Sequence, residues 1–220
     1  MAKLVTLQDP TSSTAEAYRE LRTNILFSAL DKPIKTLIVT SPAPDEGKSV
    51  TIANLAVTMA QAGHTTILVD ADLRRPSQHT LWEIPNQAGL TSMMLDATLD
   101  EPPLQGVNIE NLAVLPSGPL PPNPADLFST KRMDAVIQAL SAKAEYVLFD
   151  AAPVLAVTDT AILASKLDAL LLVIKAGATR RDHAQRAKEL LERANIRVIG
   201  VALSNAPRDT SMNAYYGPKK

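Results

Sequence analysis

The feature that most constrains this chain is a series of short apolar runs separated by segments of helical periodicity. Consecutive apolar positions are typical of strands that are buried on both faces. Such strands, alternating with helices, predict a doubly wound, mostly parallel α/β sheet with helices on both faces. The predicted strands are Thr36–Thr40, Thr66–Asp70, Tyr146–Asp150, Ala169–Ile174 and Arg197–Leu203. The predicted helices are Ser13 to about Leu30, Lys48–Ala62, Ala125–Leu140 and Arg180–Ala194.

Length and composition favour a single domain. A chain of 220 residues with 46% apolar content can bury one sizeable core. We predict one domain over residues 1–206 and a flexible tail over residues 207–220, because the tail is polar and aperiodic. The proline-rich stretch Pro116–Pro124 is predicted to be a stiff surface segment.

Composition also excludes several classes of function. A net charge of −1 gives no electrostatic reason to expect nucleic acid as a partner. Cysteine is absent, which rules out disulfides and thiolate metal sites. No run approaches the roughly 20 apolar residues of a membrane span, and the first ten residues do not form a signal peptide. We therefore predict a cytoplasmic protein, and assign no metal or catalytic role to the scattered His64, His79 and His183.

The loop between the first strand and the next helix ends in Gly47-Lys48-Ser49. In phosphate-binding loops, backbone N–H groups hold the anion, a lysine reaches the terminal phosphates and a hydroxyl binds magnesium. Pro42 replaces the first glycine of the usual GxxxxGK[ST] pattern, while Asp45 tolerates a positive φ. The loop predicts a site for ATP and Mg²⁺, and the alternative is an ordinary strand-to-helix turn. The predicted nucleotide contacts are Pro44, Asp45, Glu46, Gly47, Lys48, Ser49 and Val50.

Three aspartates stand at the ends of predicted strands. Asp70 and Asp72 follow the second strand, and Asp150 closes the third. Because ligands of open α/β sheets bind at the carboxyl ends of the strands, these side chains are expected to converge on Lys48 and Ser49. Carboxylates and a serine hydroxyl are suitable ligands for Mg²⁺. The alternative is that each aspartate caps a turn or helix.

Five segments together resemble one family, the bacterial tyrosine kinases that control capsule and exopolysaccharide synthesis, which are relatives of the MinD and ParA ATPases. Three of the segments are similar to the Walker A, A′ and B motifs. The other two are similar to the family's ExxRxxR helix and its proline-rich signature. The segments similar to Walker A, A′ and B are Ser41–Ser49, Ile67–Pro76 and Val147–Asp150. The ExxRxxR segment is Glu16–Arg22, and the proline-rich signature is Ser117–Leu127.

The resemblance implies a role for each matched residue. Lys48 would bind the β and γ phosphates, and Ser49 would ligate magnesium. Asp72 and Asp150 would hold the metal through its waters, and Asp70 would be the candidate base. Phosphoryl transfer depends mainly on positioning and charge neutralisation, for which this set suffices. Asn205, by analogy with relatives, is a candidate contact for adenine.

The resemblance also implies a phosphate acceptor and an assembly. Tyr215 and Tyr216 would be phosphorylated by a neighbouring subunit, although two adjacent tyrosines can also have no function. Glu16, Arg19 and Arg22 would form a subunit contact in a ring, and the alternative for them is a solvated ion-pair stripe.

The implied partner is a transmembrane polysaccharide co-polymerase that brings the protein to the inner face of the cell membrane. That partner would be a separate chain or a missing part of a larger parent chain. The rival function is a MinD or ParA type of ATPase switch without tyrosine kinase activity.

Overall fold

A seven-stranded sheet forms the centre of the protein, as seen in a computed structural model that describes residues 4–99 and 101–207. The strand order is β3-β4-β2-β5-β1-β6-β7, and every neighbouring pair is parallel except β3 with β4. The doubly wound α/β class is therefore confirmed. The strands are β1 Thr36–Thr40, β2 Thr66–Ala71, β3 Gln105–Gly106, β4 Leu112–Leu115, β5 Tyr146–Ala151, β6 Ala169–Lys175 and β7 Val198–Ser204.

The helices cover both faces of this sheet. Each of the five predicted strands is present within one residue of its predicted bounds, but β3, β4 and the shortest helices were not predicted. The helices are α1 Val5–Gln8, α2 Ser13–Ser28, α3 Lys48–Gln61, α4 Gln78–Trp82, α5 Leu90–Leu95, α6 Pro124–Phe128, α7 Lys131–Lys143, α8 Asp159–Ala164 and α9 Arg181–Arg193.

The single helix predicted for Ala125–Leu140 is wrong. The chain instead forms α6 and α7, with a break at Ser129 and Thr130. The Thr130 side chain accepts a hydrogen bond from the backbone N–H of Met133, which caps α7. Threonine is a favoured N-cap residue, and it starts a new helix here because its backbone is extended.

Alternating residues of the central strands pack into two hydrophobic clusters, one on each face. In β1, Ile38 belongs to one cluster, whereas Leu37 and Val39 belong to the other. Helix α3 covers the second face, and α7 and α9 cover the first. Because successive strand residues point to opposite faces, a strand covered on both sides must be apolar at consecutive positions, as Leu37, Ile38 and Val39 are.

Strand register brings the three carboxylates to one edge of the sheet. Asp70 in β2 is directly opposite Asp150 in β5, and Asp150 is in turn opposite Val39 in β1. All three strands are parallel, so their carboxyl ends lie on the same side of the sheet, where the loop after Thr40 begins. The sheet therefore positions the phosphate loop and the carboxylates side by side.

The prediction that Pro116–Pro124 lies on the surface is wrong for its first three residues and for Pro124, which are buried. The carbonyl of Pro116 accepts a hydrogen bond from Leu90 N at 2.8 Å, and that of Ser117 accepts one from Thr91 N at 2.9 Å. Proline lacks an N–H but keeps its carbonyl, so it can be buried where a neighbouring segment donates. The buried part of this segment therefore accepts the first backbone hydrogen bonds from α5.

The close packing of Gly89 against Pro116 leads to a prediction about stability. A Cβ atom on Gly89 would lie 2.1 Å from the Pro116 carbonyl oxygen. We expect Gly89→Ala to lower the free energy of unfolding by about 3 kcal/mol, because rigid backbone has to move. Gly106→Ala is the control, since a Cβ there meets nothing within 4 Å. Urea unfolding of both variants measures the difference, and equal stabilities would contradict the packing described.

Candidate active site

The loop between β1 and α3 has the backbone of an anion-binding turn. Asp45 has φ 61° and Gly47 has φ 89°, both in the left-handed region. The tolerance of Asp45 for positive φ, expected from the sequence, is confirmed. Gly47 is the N-cap of the 14-residue helix α3, so the loop ends at the helix N-terminus, where the first backbone N–H groups have no partner within the helix. Such an end carries partial positive charge and free donors suited to phosphate.

Contacts from distant segments hold this loop in place. Glu46 is 5% exposed, and its carboxylate accepts hydrogen bonds from Ala43 N at 3.2 Å and Thr179 Oγ1 at 2.6 Å. Ser204 at the end of β7 donates to the Glu46 carbonyl at 2.6 Å, and Lys175 Nζ donates to the Asp45 carbonyl at 3.2 Å. The side chain and the backbone carbonyl of Glu46 are thus bonded within the protein, which leaves its backbone N–H for the predicted nucleotide contact.

Lys48 is the centre of the site. Its Nζ lies 2.8 Å from Asp72 Oδ2 and 3.3 Å from Asp150 Oδ1. The same atom lies 3.2 Å from Ser49 Oγ. Burial disfavours the charged form of Lys48, but attraction to Asp150 and Asp72 outweighs burial, and the pKa of the ammonium is raised. The lysine, the hydroxyl and two of the predicted carboxylates therefore form one cluster.

Asp70, the third carboxylate, is fully buried behind this cluster. Its Oδ2 accepts hydrogen bonds from Ser77 N at 2.9 Å and Gln78 N at 2.8 Å, and its Oδ1 has no hydrogen-bond partner. Burial raises the pKa of the Asp70 carboxyl well above its usual value, and the nearby charge of Asp150 raises it further. Asp70 therefore anchors the turn into α4, and its role as a base stays a prediction.

The oxygen atoms gathered here are suited to Mg²⁺. Ser49 Oγ, the carboxylates of Asp72 and Asp150 and the unpartnered Asp70 Oδ1 are all hard ligands. Among residues 4–99 and 101–207, no group of three or more His, Cys, Asp or Glu side chains is arranged to bind a metal alone. Magnesium typically combines one or two carboxylates with phosphate oxygens and water, and the residues present fit that pattern.

A cavity of about 540 Å³ opens in front of the loop. Of the predicted site residues, Glu46, Asp70, Asp150 and Asn205 do not line it. Asn205 is exposed, and its Nδ2 lies 3.5 Å from the Ala176 carbonyl, so its contact with adenine stays a prediction. The lining residues are Pro44, Asp45, Gly47, Lys48, Ser49, Val50 and Asp72, together with the unpredicted Arg74, Arg75, Ser77, Ala152, Pro153, Ala156 and Val157.

Arg74 and Arg75 bring positive charge to the rim of this cavity. Arg74 Nε lies 2.8 Å from Asp159 Oδ2, so it is held by the start of α8. Both arginines follow Asp72 in the same segment, and repeated basic residues just after a strand-end aspartate were the available sequence signal. Both side chains line the cavity, and the charge of Arg74 is paired with Asp159.

The residues predicted to form a subunit contact bind within their own chain. Arg19 Nη1 lies 2.6 Å from Glu16 Oε2, and Arg19 also donates to the Pro10 carbonyl. Arg22 Nη1 donates to the Thr58 carbonyl near the end of α3 at 2.9 Å. Their role between subunits stays a prediction.

Two further predictions concern the tail and the membrane. Tyr215 and Tyr216 lie outside the described residues. Within residues 4–99 and 101–207, no helix has both the length and the apolarity that crossing a membrane requires.

Comparison with known proteins agrees with this geometry. The CobQ/CobB/MinD/ParA nucleotide binding domain family matches residues 37–213, so the chain is a nucleotide-binding domain of this class. Tyrosine-protein kinase YwqD of Bacillus subtilis is 41% identical over 217 residues, which cover 98% of this chain and 92% of that protein. The chain belongs to the bacterial tyrosine-protein kinase family.

Solved structures of similar proteins share the fold. The chimerical protein CapA2B2 is 35% identical, with a TM-score of 0.87 over 93% of this chain and 90% of that one. The kinase domain of Escherichia coli tyrosine kinase ETK is 27% identical, with a TM-score of 0.87 over 96% of this chain and 83% of that one. The expected family is confirmed.

The opposite environments of two aspartates generate a prediction about pH. The folded form binds the Asp70 proton more tightly than the unfolded form, so the contribution of Asp70 to stability is lost as pH rises above about 4. We expect Asp70→Asn to reduce the fall in stability between pH 4 and 8. At pH 8 its free energy of unfolding should be about 2 kcal/mol higher than that of the wild type. Urea unfolding between pH 4 and 8, without metal or nucleotide, measures the effect.

Asp168 is the matched control for this prediction. Burial opposes its charge, but hydrogen bonds from Thr36 and Lys35 outweigh burial and lower its pKa. Its contribution to stability is therefore present above the unfolded pKa and is lost as pH falls, so Asp168→Asn should destabilise the protein at pH 8. Changes of the same sign in both variants would contradict the electrostatic description.

Proposed function

We propose that this chain is an ATP-dependent protein-tyrosine kinase that regulates the polymerisation and export of capsular or exopolysaccharide. The observation that carries the proposal is the cluster in which Lys48 Nζ lies within 3.3 Å of Ser49, Asp72 and Asp150. Kinase relatives such as YwqD add support, because they cover nearly the whole chain.

The reaction transfers the γ-phosphoryl group from ATP to a tyrosine hydroxyl. The phenol oxygen bonds to phosphorus as the bond to the β–γ bridging oxygen breaks, and ADP keeps the electron pair. Lys48 leaves the carboxylates and neutralises charge on the β and γ phosphates, while backbone N–H groups of the loop hold them in line. Bound Mg²⁺, held by Ser49, Asp72 and Asp150, would supply further charge neutralisation.

Asp70 is the proposed acceptor of the phenol proton. Its raised pKa improves its match to a base that works near neutral pH. It does not line the cavity, so a water molecule has to carry the proton from the phenol to Asp70 Oδ1, which has no other partner.

The proposed acceptors are Tyr215 and Tyr216 of a neighbouring subunit. The described chain ends three residues after Ser204, which is bonded to the phosphate loop. Ten residues lie between Ser204 and Tyr215, and an extended chain spans about 3.5 Å per residue, so transfer within one subunit is sterically possible as well. Whether transfer occurs within one subunit or between two subunits therefore needs a direct test.

A mixing experiment separates the two routes. Lys48→Met should reduce kinase activity at least 100-fold, because the phosphates lose their main cation, yet this variant keeps both acceptors. The variant Tyr215→Phe, Tyr216→Phe keeps the site but loses the acceptors. We expect each variant alone to give no phosphotyrosine by mass spectrometry, and the mixture with ATP and Mg²⁺ to phosphorylate the Lys48→Met chain.

The outcomes of this experiment also test the rival function. A silent mixture beside an active wild type would show transfer within one subunit. Release of free phosphate without phosphotyrosine, in wild type as well, would support an ATPase switch of the MinD or ParA type and overturn the kinase proposal.

We propose further that Glu16, Arg19 and Arg22 hold a ring of subunits, and that phosphorylation loosens it by adding about two negative charges per tyrosine. Replacing all three residues by alanine should convert the oligomer to monomer, measured by light scattering with ATP and Mg²⁺. Arg193→Ala, at the exposed end of α9, is the control. A wild-type monomer under every condition, phosphorylated or not, would rule out the ring.

The proposed partner is a transmembrane polysaccharide co-polymerase whose cytoplasmic segment docks near the site and activates it. This contact would place the kinase at the inner face of the membrane.

A further inference from the structure

The side chain of Gln78 connects three parts of the active site. Its Nε2 donates to Asp150 Oδ2 at 2.8 Å and to the Ser49 carbonyl at 3.1 Å. Its Oε1 accepts from Trp82 Nε1 at 3.0 Å. Gln78 is fully buried in the first turn of α4, so no bulk water competes for these bonds.

The chemistry of the three partners fixes the orientation of this amide. The indole of Trp82 can only donate, whereas the ionised Asp150 and the Ser49 carbonyl can only accept. One acceptor and two donors are therefore required at position 78, and a glutamine amide supplies them in a single planar group. The Asp70 carboxylate fixes the backbone of the same residue, because its Oδ2 accepts from Gln78 N at 2.8 Å.

The consequence for Asp150 is a defined division between its two oxygens. Oδ2 is occupied by Gln78, and Oδ1 faces Lys48 Nζ at 3.3 Å. Since the other bond of Gln78 reaches the first turn of α3, one side chain sets the position of the carboxylate relative to Ser49. Groups that orient a metal-binding carboxylate typically change metal affinity 10–100-fold when they are removed.

We propose that Gln78 is a positioning residue for magnesium-dependent nucleotide binding, and that Trp82 fixes its amide and reports on the state of the site. Gln78 acts through Asp150 and Ser49 and touches neither nucleotide nor metal itself. The proposal rests on the proposed nucleotide site but not on the identity of the phosphate acceptor. Trp82 is the sole tryptophan of the chain, so its fluorescence comes from this position alone.

The test uses the full chain and ADP, which binds without turnover. Calorimetry measures the Mg²⁺ concentration that gives half-maximal tightening of ADP binding. Gln78→Met keeps the length of the side chain but removes both donors, and we expect this concentration to rise at least tenfold. Trp82→Phe keeps the amide but frees its orientation, and we expect a rise of about threefold. Gln61→Met, at the exposed end of α3, is the matched control and should stay within twofold.

Fluorescence gives a second, independent result. Mg²⁺ with ADP should shift the Trp82 emission of the wild type, and this response should be lost in Gln78→Met because the link from Asp150 to the indole is missing. A purely structural role for Gln78 predicts lower thermal stability but an unchanged magnesium requirement in the folded fraction. A Gln78→Met protein that keeps the wild-type magnesium midpoint would overturn the proposal.

The inference about Gln78 can still be tested if the Gln78→Met protein does not fold, or if the wild type proves not to be a kinase. Should Gln78→Met not fold, the Trp82→Phe protein decides, and an unchanged magnesium midpoint there overturns the proposal. Should the wild type bind ADP with Mg²⁺ but form no phosphotyrosine, the kinase proposal fails while the inference about Gln78 is still tested in full.

Discussion

The ammonium of Lys48 and the carboxylates of Asp72 and Asp150 form the interaction on which the rest of the site depends. Three acidic side chains at most 4% exposed would repel one another and resist burial without a nearby cation. Lys48 supplies that cation. In the proposed mechanism the same charge neutralises the phosphates, so nucleotide and metal together would replace the lysine at the carboxylates.

The proposed exchange requires the groups around Lys48 to be held by other contacts. Glu46, Thr179 and Ser204 fix the loop, and Gln78 fixes one oxygen of Asp150. Each of these contacts fixes the position of an atom that would have to stay in place in the proposed exchange. The parallel sheet supplies the frame, because its register sets Asp70 beside Asp150 at the edge where the loop begins.

The sequence predicted the parts of this account that depend on local pattern. Buried parallel strands have runs of consecutive apolar residues, and the Gly47-Lys48-Ser49 turn is typical of phosphate-binding loops. From these patterns the sheet, the loop and the convergence of Asp72 and Asp150 on Lys48 were predicted, and the structure agrees.

What the sequence missed depends on tertiary contacts. Thr179 lies 133 residues from Glu46, and Gln78 lies 72 residues from Asp150, so no spacing rule connects them. Strand β4 has only four residues, too few for a clear period. The buried start of the proline-rich stretch was missed because its partners, Leu90 and Thr91, become visible only once the chain is folded.

A crystal structure with Mg²⁺ and a non-hydrolysable ATP analogue would test directly whether Lys48 exchanges its carboxylate partners for phosphate. We expect Lys48 Nζ to leave Asp72 and Asp150 for the β and γ phosphates, and the metal to lie between Ser49 and those two carboxylates. A structure in which Lys48 keeps both carboxylate contacts while the triphosphate binds elsewhere would contradict this expectation.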